Sequence, residues 1–372
     1  MPVRVVIVAP WGERLGGAEE MLWLALKHCD RSALDPAVAF LGPGPFVDEV
    51  AGLGLPTAVI EAGRLRQAGA SAAAVRRLAA LLRGQRPELV VGWSAKAQLY
   101  CAPAAALAGI GDRVVWWQHM IPDRQWLDRL ATALPARAVG CSSEACRAAQ
   151  VRLRPPRPAF VVNPGIELNG RRTPPGRLRE LLGIPPRRPV AGIVGRLQPW
   201  KGQDRFVEAI AALHHRGEDV HGLIVGGDAY GRSPDYAAGL DRRIAELGLG
   251  DRVTMTGQVE DTAPYFSLMD VAVNASEGEP FGMVLIEAMA AGVPVVAVAD
   301  GGPNEIVEPG ITGVLVEDGA TESLAAAIGG LLADPRRRAV MAAAGRHRCR
   351  ERFGAERMAA RLTANLTEVA RG

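Results

Sequence analysis

Two carboxylates, Glu279 and Glu287, stand eight positions apart, and almost every residue between and after them is apolar. The run Glu279-Pro280-Phe281-Gly282-Met283-Val284-Leu285-Ile286-Glu287-Ala288-Met289-Ala290-Ala291-Gly292 reads as a loop entering a buried helix. Pro280 and Gly282 disfavour helix at the start. The residues from Met283 to Ala291 are good helix formers, and Gly292 followed by Val293 and Pro294 stops the helix. Glu287 is the only charge in it, and an ionised carboxylate buried there needs hydrogen-bond partners. Glu279 precedes the helix N-terminus, where partial positive charge attracts anions. The segment thus offers an anion site and two carboxylates able to accept hydrogen bonds from hydroxyls, a combination that suits a nucleotide sugar. A buried helix whose Glu287 pairs with an arginine elsewhere fits the same residues.

A second constellation lies in Gly195-Arg196-Leu197-Gln198-Pro199-Trp200-Lys201-Gly202, between an apolar strand-like run and a helical one. Ligands of open parallel sheets bind beyond the carboxyl ends of the strands. Arg196 and Lys201 would project there as a clamp for a diphosphate, the guanidinium able to bind two oxygens at once. Lysine is scarce in this arginine-rich chain, occurring only as Lys27, Lys96 and Lys201. A compact ammonium kept at position 201 therefore points to a specific role, against the plainer reading of an exposed basic loop. After the first strand-like run, Gly16-Gly17 would let the backbone approach a ligand, with a helix start following. That loop does not match the Gly-x-Gly-x-x-Gly dinucleotide fingerprint. His119 ends the run Val114-Val115-Trp116-Trp117-Gln118 and would stand at the carboxyl end of a strand. Trp116, Trp117 and Trp126 could line a groove, although core packing is the default for tryptophan.

These motifs resemble the retaining glycosyltransferases of family 4, which have the GT-B fold. The resemblance covers essentially the whole chain and is most specific between Gly195 and Gly302. It rests on the Glu-x7-Glu signature with Phe281-Gly282 and Ala288-Met289-Ala290-Ala291-Gly292-Val293-Pro294-Val295-Val296, and on Gly195-Arg196 with Lys201-Gly202. It implies two Rossmann-like domains facing across a cleft and transfer from a nucleoside diphosphate sugar, with UDP as the expected nucleotide. Under it, Arg196 and Lys201 hold the diphosphate and Glu287 accepts the ribose hydroxyls. Glu279 and the backbone of Phe281, Gly282 and Met283 hold the sugar. Gly195 opens the phosphate loop, Val259 borders the base, and His119 with Gly16 and Gly17 closes the site from the first domain. His119, Arg196, Lys201 and Glu279 are the catalytic set. No metal or other cofactor is expected, and no Asp-x-Asp occurs. The leaving phosphate would take the acceptor's proton in a front-face substitution. Other chemistry on the same fold, a nucleotide-sugar epimerase or a phosphorylase, and a non-catalytic sugar-nucleotide-binding protein are the alternatives.

The elements that must position these residues alternate along the chain. Strand-like runs cover positions 3–8, 38–41, 89–91, 114–117 and 138–140, then 190–194, 223–225, 253–255, 271–273 and 295–298. Continuous apolar strands separated by helical stretches imply α/β architecture, with parallel sheets covered on both faces. The pattern breaks once, in an arginine- and proline-rich stretch. The expected division is residues 1–166 as the N-terminal domain, 167–188 as linker and 189–353 as the donor-binding domain. The resemblance places a final helix, 354–372, back on the first.

The chain has 372 residues, 48% hydrophobic and 22% charged, with a net charge of +3. That suffices for two cores and does not announce a nucleic-acid partner. Five scattered cysteines without metal spacing predict reduced thiols in a cytoplasmic protein, with at most peripheral contact with the inner face of a membrane. The acceptor, expected as a hydroxyl on a small metabolite, natural product or lipid-linked glycan, lies beyond these motifs, as does the oligomeric state.

Overall fold

The computed structural model describes the chain apart from positions 15, 64–66, 123–125, 169–175, 229–230 and 232. The chain divides into two units, Met1–Gly165 with Gly354–Gly372, and Ile166–Phe353. In the first unit, β1 (Val3–Ala9), β2 (Leu34–Phe40), β3 (Thr57–Val59), β4 (Leu89–Gly92), β5 (Val114–Gln118), β6 (Ala138–Cys141) and β7 (Ala159–Val161) form one sheet. Its order is β3-β2-β1-β4-β5-β6-β7, and every pair is parallel. In the second, β8 (Val190–Val194), β9 (His221–Val225), β10 (Val253–Met255), β11 (Val271–Asn274), β12 (Val295–Val298) and β13 (Gly313–Val316) form another. Its order is β10-β9-β8-β11-β12-β13, again all parallel.

Both sheets therefore reverse direction once, between β1 and β4 and between β8 and β11. Such a crossing leaves a crevice at the carboxyl ends of the two strands, where doubly wound folds bind their ligands. The second sheet shows why its sequence folds this way. Alternate residues of a strand face opposite sides, and here both sides are cores. Ile193, Val271 and Val273 join Phe206, Val207, Ile210 and Leu213 of the helix Gln203–His215. Val190, Val194 and Ala272 join Leu285, Ile286 and Met289 of the helix Met283–Ala291. Burial on two faces makes these strands continuous apolar runs.

Three edge strands, β3, β7 and β13, lie outside the strand-like runs read from the sequence; each is only three or four residues long with partly exposed side chains. The stretch 167–188 is not set apart as a linker. It belongs with the second unit, contains the helix Gly176–Leu181 and packs Leu178, Leu182 and Ile184 onto that unit's core. Part of it, 169–175, lies outside the described residues. The helix Ala355–Arg371 belongs to the first unit, where Met358, Leu362 and Leu366 recur at four-residue spacing against Met21, Leu22 and Leu24. Trp116 and Trp117 are core residues and line no groove. Trp126 is 73% exposed.

Candidate functional site

The carboxyl ends of β8 and β11 carry the loops whose residues point to chemistry. After β8, Gly195 extends the strand by donating to the Val225 carbonyl at 2.9 Å, and Leu197 donates to that of Gly227 at 3.1 Å. The Gln203 amide donates to the Arg196 carbonyl at 2.9 Å, so the Arg196 backbone is pinned while its side chain stays half-exposed. A short 3-10 turn, Pro199–Lys201, follows. Gly202 ends it at φ 72°, and a methyl group there would overlap the Ala275 carbonyl at the end of β11. The two loops are thus held backbone to backbone. Arg205 reinforces the join through the Ala275 carbonyl and through Glu277 at 2.5 Å.

After β11, Glu277 donates its N–H to the Trp200 carbonyl at 2.8 Å. Glu279 is fixed from the other side, its N–H donating to the Asp300 carbonyl at 3.0 Å and its carbonyl accepting from Gly302 at 2.8 Å. The loop beyond β12 thereby clamps it. The carboxylate of Glu279 points inward and is 5% exposed. Lys201 Nζ reaches its Oε2 at 2.7 Å, and Asn274 Nδ2 donates to the same oxygen at 3.3 Å. Burial pushes this carboxyl up, but the Lys201 charge and hydrogen bonds from Lys201, Ser276 and Asn274 outweigh it, so it lies below the usual range. The Lys201 ammonium also stands 4.1 Å from the Trp200 ring centre.

The helix Met283–Ala291 starts at Gly282 without a side-chain cap and ends at Gly292. Its first N–H groups are thus available to an anion. Glu287 is half-buried on this helix, not enclosed as the sequence suggested; the enclosed carboxylate is Glu279. Val259 is partly buried beside Gly257, whose backbone bridges Gly226.

The structure thus brings Gly195, Arg196, Lys201, Glu279, Phe281, Gly282, Met283 and Glu287 onto loops and one helix around the β8–β11 crossing. Gly16, Gly17 and His119 belong to the first unit. There Gly16 precedes the helix Gly17–Lys27, again without a side-chain cap. His119 follows β5 with its ring centre 5.2 Å from that of Trp93. It is a half-buried residue whose Nε2 is enclosed and has no hydrogen-bond partner among the described residues. Burial pulls its pKa down to about 3, partly offset by the hydrogen bond to the Trp93 backbone. The imidazole is neutral at physiological pH, and Nε2 presents a lone pair.

Asn274, Ser276, Trp200 and Asp300 were not singled out in the sequence. Asn274 carried a readable signal, being the one polar residue in the otherwise apolar run Val271-Ala272-Val273-Asn274.

The family profile of glycosyl transferases group 1 matches residues 177–348, nearly the whole second unit. The second unit is a group 1 glycosyltransferase domain. The chain is 37% identical over 180 residues to the GDP-mannose-dependent alpha-(1-6)-phosphatidylinositol monomannoside mannosyltransferase of Mycolicibacterium smegmatis, covering 46% of this chain and 45% of that one. It is 39% identical over 212 residues to the D-inositol 3-phosphate glycosyltransferase of Xylanimonas cellulosilytica, covering 54% and 49%. The chain thus matches about half the length of these curated relatives. Among solved structures, Anabaena Alr3699/HepE in complex with UDP and glucose superposes with a TM-score of 0.85 at 27% identity, covering 98% of this chain and 99% of that one. The sucrose-phosphate synthase of Thermosynechococcus elongatus shares the fold, with a TM-score of 0.80 at 22% identity. The architecture of the chain is GT-B. Among its described residues, no helix is long and apolar enough to cross a membrane.

Proposed function

We propose that the protein transfers a glycosyl group from a nucleoside diphosphate sugar to a hydroxyl of an acceptor, with retention of configuration. The observation that carries this reading is the pairing of half-buried Lys201 with buried Glu279 at the crossing of β8 and β11. Only one of the three N–H donors of Lys201 is committed to Glu279, leaving the others for phosphate oxygens. Arg196, on the same loop, would share that charge. Stabilisation of the departing diphosphate by these cations would be the main catalytic term, and its oxygen would receive the acceptor's proton. No resident metal or cofactor is part of this scheme.

Glu279 already accepts hydrogen bonds from Lys201, Asn274 and Ser276. Its first task is therefore to aim Lys201, with its remaining lone-pair capacity directed at a sugar hydroxyl. The backbone from Phe281 to Met283 would hold the sugar, Glu287 the ribose and Val259 the base. The neutral His119 would accept a hydrogen bond from a sugar hydroxyl through Nε2. We take a uridine diphosphate sugar as the donor because the Anabaena relative was solved with UDP and glucose. The GDP-mannose dependence named for the mycobacterial relative makes GDP-mannose the direct comparison.

The test is binding and turnover with UDP- and GDP-sugars. Lys201→Ala or Arg196→Ala should lower turnover by roughly two to three orders of magnitude, the scale set by removing one transition-state donor. Turnover near that of the unmodified protein in both variants would overturn the reading. Interconversion of sugars without an acceptor would instead identify an epimerase.

A further inference from the structure

Of the three lysines, Lys201 has a place in the proposed donor site, and Lys27 closes the last turn of its helix, where a cation is favoured. Lys96 has neither justification. It lies in the first turn of the helix Ala95–Leu107, the end whose partial charge repels a cation. It is half-buried, and no carboxylate pairs with it among the described residues. Burial alone draws its ammonium down to about 8. Its contacts are neutral: Nζ donates to the Pro10 carbonyl at 3.0 Å and stands 3.6 Å from the centre of the Trp11 ring. The other charges of that loop and the next helix start show no contact with Lys96 among the described residues. Arg14 pairs with Glu20 at 2.8 Å and Glu49 at 3.2 Å, Glu19 is buried in the first turn of the next helix, and Glu13 is exposed.

The place is specific as well. Pro10 and Trp11 follow β1, and Lys96 follows β4, so the three residues occupy the carboxyl ends of the two strands between which the first sheet reverses. Trp11 is 40% exposed. A cation held in low dielectric without a counter-ion, beside an accessible indole at a switch point, is unfavourable for the free protein and favourable for an anionic ligand that completes it.

We propose that Lys96 and Trp11 form an acceptor subsite that recognises an oxyanion on the acceptor, a phosphate monoester, phosphodiester or carboxylate, with the indole packing against the acceptor's ring or polyol. The proposal rests on the glycosyl-transfer reading for the word acceptor, but anion binding can be measured without any transfer.

The experiment measures binding of inorganic phosphate, glucose 6-phosphate, glucuronate and glucose by calorimetry, and of phosphatidylinositol against phosphatidylcholine vesicles by sedimentation. Nucleotide binding is followed in parallel. The expected result is that at least one oxyanion binds the unmodified protein, that glucose and phosphatidylcholine do not, and that Lys96→Met weakens the oxyanion at least tenfold while UDP or GDP binding is unchanged. The soluble and vesicle arms separate a free anionic acceptor from a lipid headgroup. Lys96→Arg, which keeps the charge, should retain binding. Ligand-free Lys96→Met should unfold at the same temperature as the unmodified protein or higher, because a cation without a counter-ion has been removed. Equal oxyanion affinity in the unmodified and Lys96→Met proteins, or none in the unmodified protein, would overturn the proposal. Loss of nucleotide binding in Lys201→Met with oxyanion binding intact would keep the two sites separate, and failure of nucleotide binding in the unmodified protein would count against the donor site alone.

Discussion

Lys201 Nζ lies 2.7 Å from Glu279 Oε2 although the two residues are 78 positions apart. Three backbone arrangements enforce the approach: Gly202 against Ala275, Glu277 on Trp200, and Glu279 between Asp300 and Gly302. The pair is therefore part of the framework before any ligand arrives, and it can be tested as structure as well as chemistry.

Removing one partner should be worse than removing both. Lys201→Met leaves a buried carboxylate with only Asn274 and Ser276, and a loss of about 3 kcal/mol is expected. Lys201→Met with Glu279→Gln should recover part of it, giving a coupling of about 1–3 kcal/mol in a double-mutant cycle read by urea unfolding. The pH dependence follows. The folded pKa of Glu279 is depressed, so its contribution is present above the ordinary carboxylate range and is lost as pH falls through the folded value. In Lys201→Met, only the Asn274 and Ser276 hydrogen bonds oppose burial, and this slope should shrink. Additive single-mutant effects would contradict the account.

Gly302→Ala tests the clamp on Glu279. A methyl group there would overlap the Phe281 carbonyl, which leaves the loop before the helix Met283–Ala291 no room to stay where it is. The sheet lies outside this contact, so circular dichroism should be preserved while nucleotide-sugar affinity falls at least tenfold. Unchanged affinity would show that the loop position does not matter for the donor.

Asp128 offers a pH experiment in the first unit. It is buried on the helix Trp126–Ala133, and its Oδ2 has no hydrogen-bond partner among the described residues. Burial raises its pKa to about 6, with Gln118 partly offsetting the effect. A carboxyl raised on folding costs stability as pH climbs from its ordinary value toward the folded one, here roughly 2–3 kcal/mol in all. Asp128→Asn should therefore stabilise the protein at pH 7.5 and leave it unchanged near pH 4, as followed by thermal unfolding. A difference independent of pH would remove the burial argument.

His119 should not titrate where free histidines do. Its folded pKa of about 3 means that the unfolded chain takes up the proton first. Stability is then lost as pH falls below about 6.5, and the activity profile between pH 6 and 8 carries no histidine limb. Nuclear magnetic resonance of the imidazole carbons reads the protonation directly, and a midpoint near 6.5 would refute the buried neutral ring.

The sequence was most legible where one constraint acted alone. The helix Met283–Ala291 was readable to the residue because Gly282 and Gly292 bracket a run of helix formers. Buried strands such as β8 and β12 declared themselves by being apolar on both faces. Edge strands β3, β7 and β13 did not, because runs of three or four residues are too short to stand out from the loops around them. Arg196 and Lys201 could be placed beyond a strand end from their loop, but the union of Lys201 with Glu279 could not. It depends on strand order, which makes the first and fourth strands of the unit neighbours and is not written in any local window. The half-burial of Glu287 was not legible either, since helix position alone does not say which face meets the sheet.

The order in which the ribosome delivers this chain is not the order in which its cores close. Met358, Leu362 and Leu366 complete a cluster built otherwise from residues of the first unit, yet the whole of Ile166–Phe353 is synthesised before them. The nascent first unit must wait with an uncovered apolar flank on Met21, Leu22 and Leu24 while its successor is made and can fold. Slowing elongation within the second unit would lengthen that wait and expose the flank to chaperones, whereas the second unit, contiguous in sequence, has no such debt to the future of the chain.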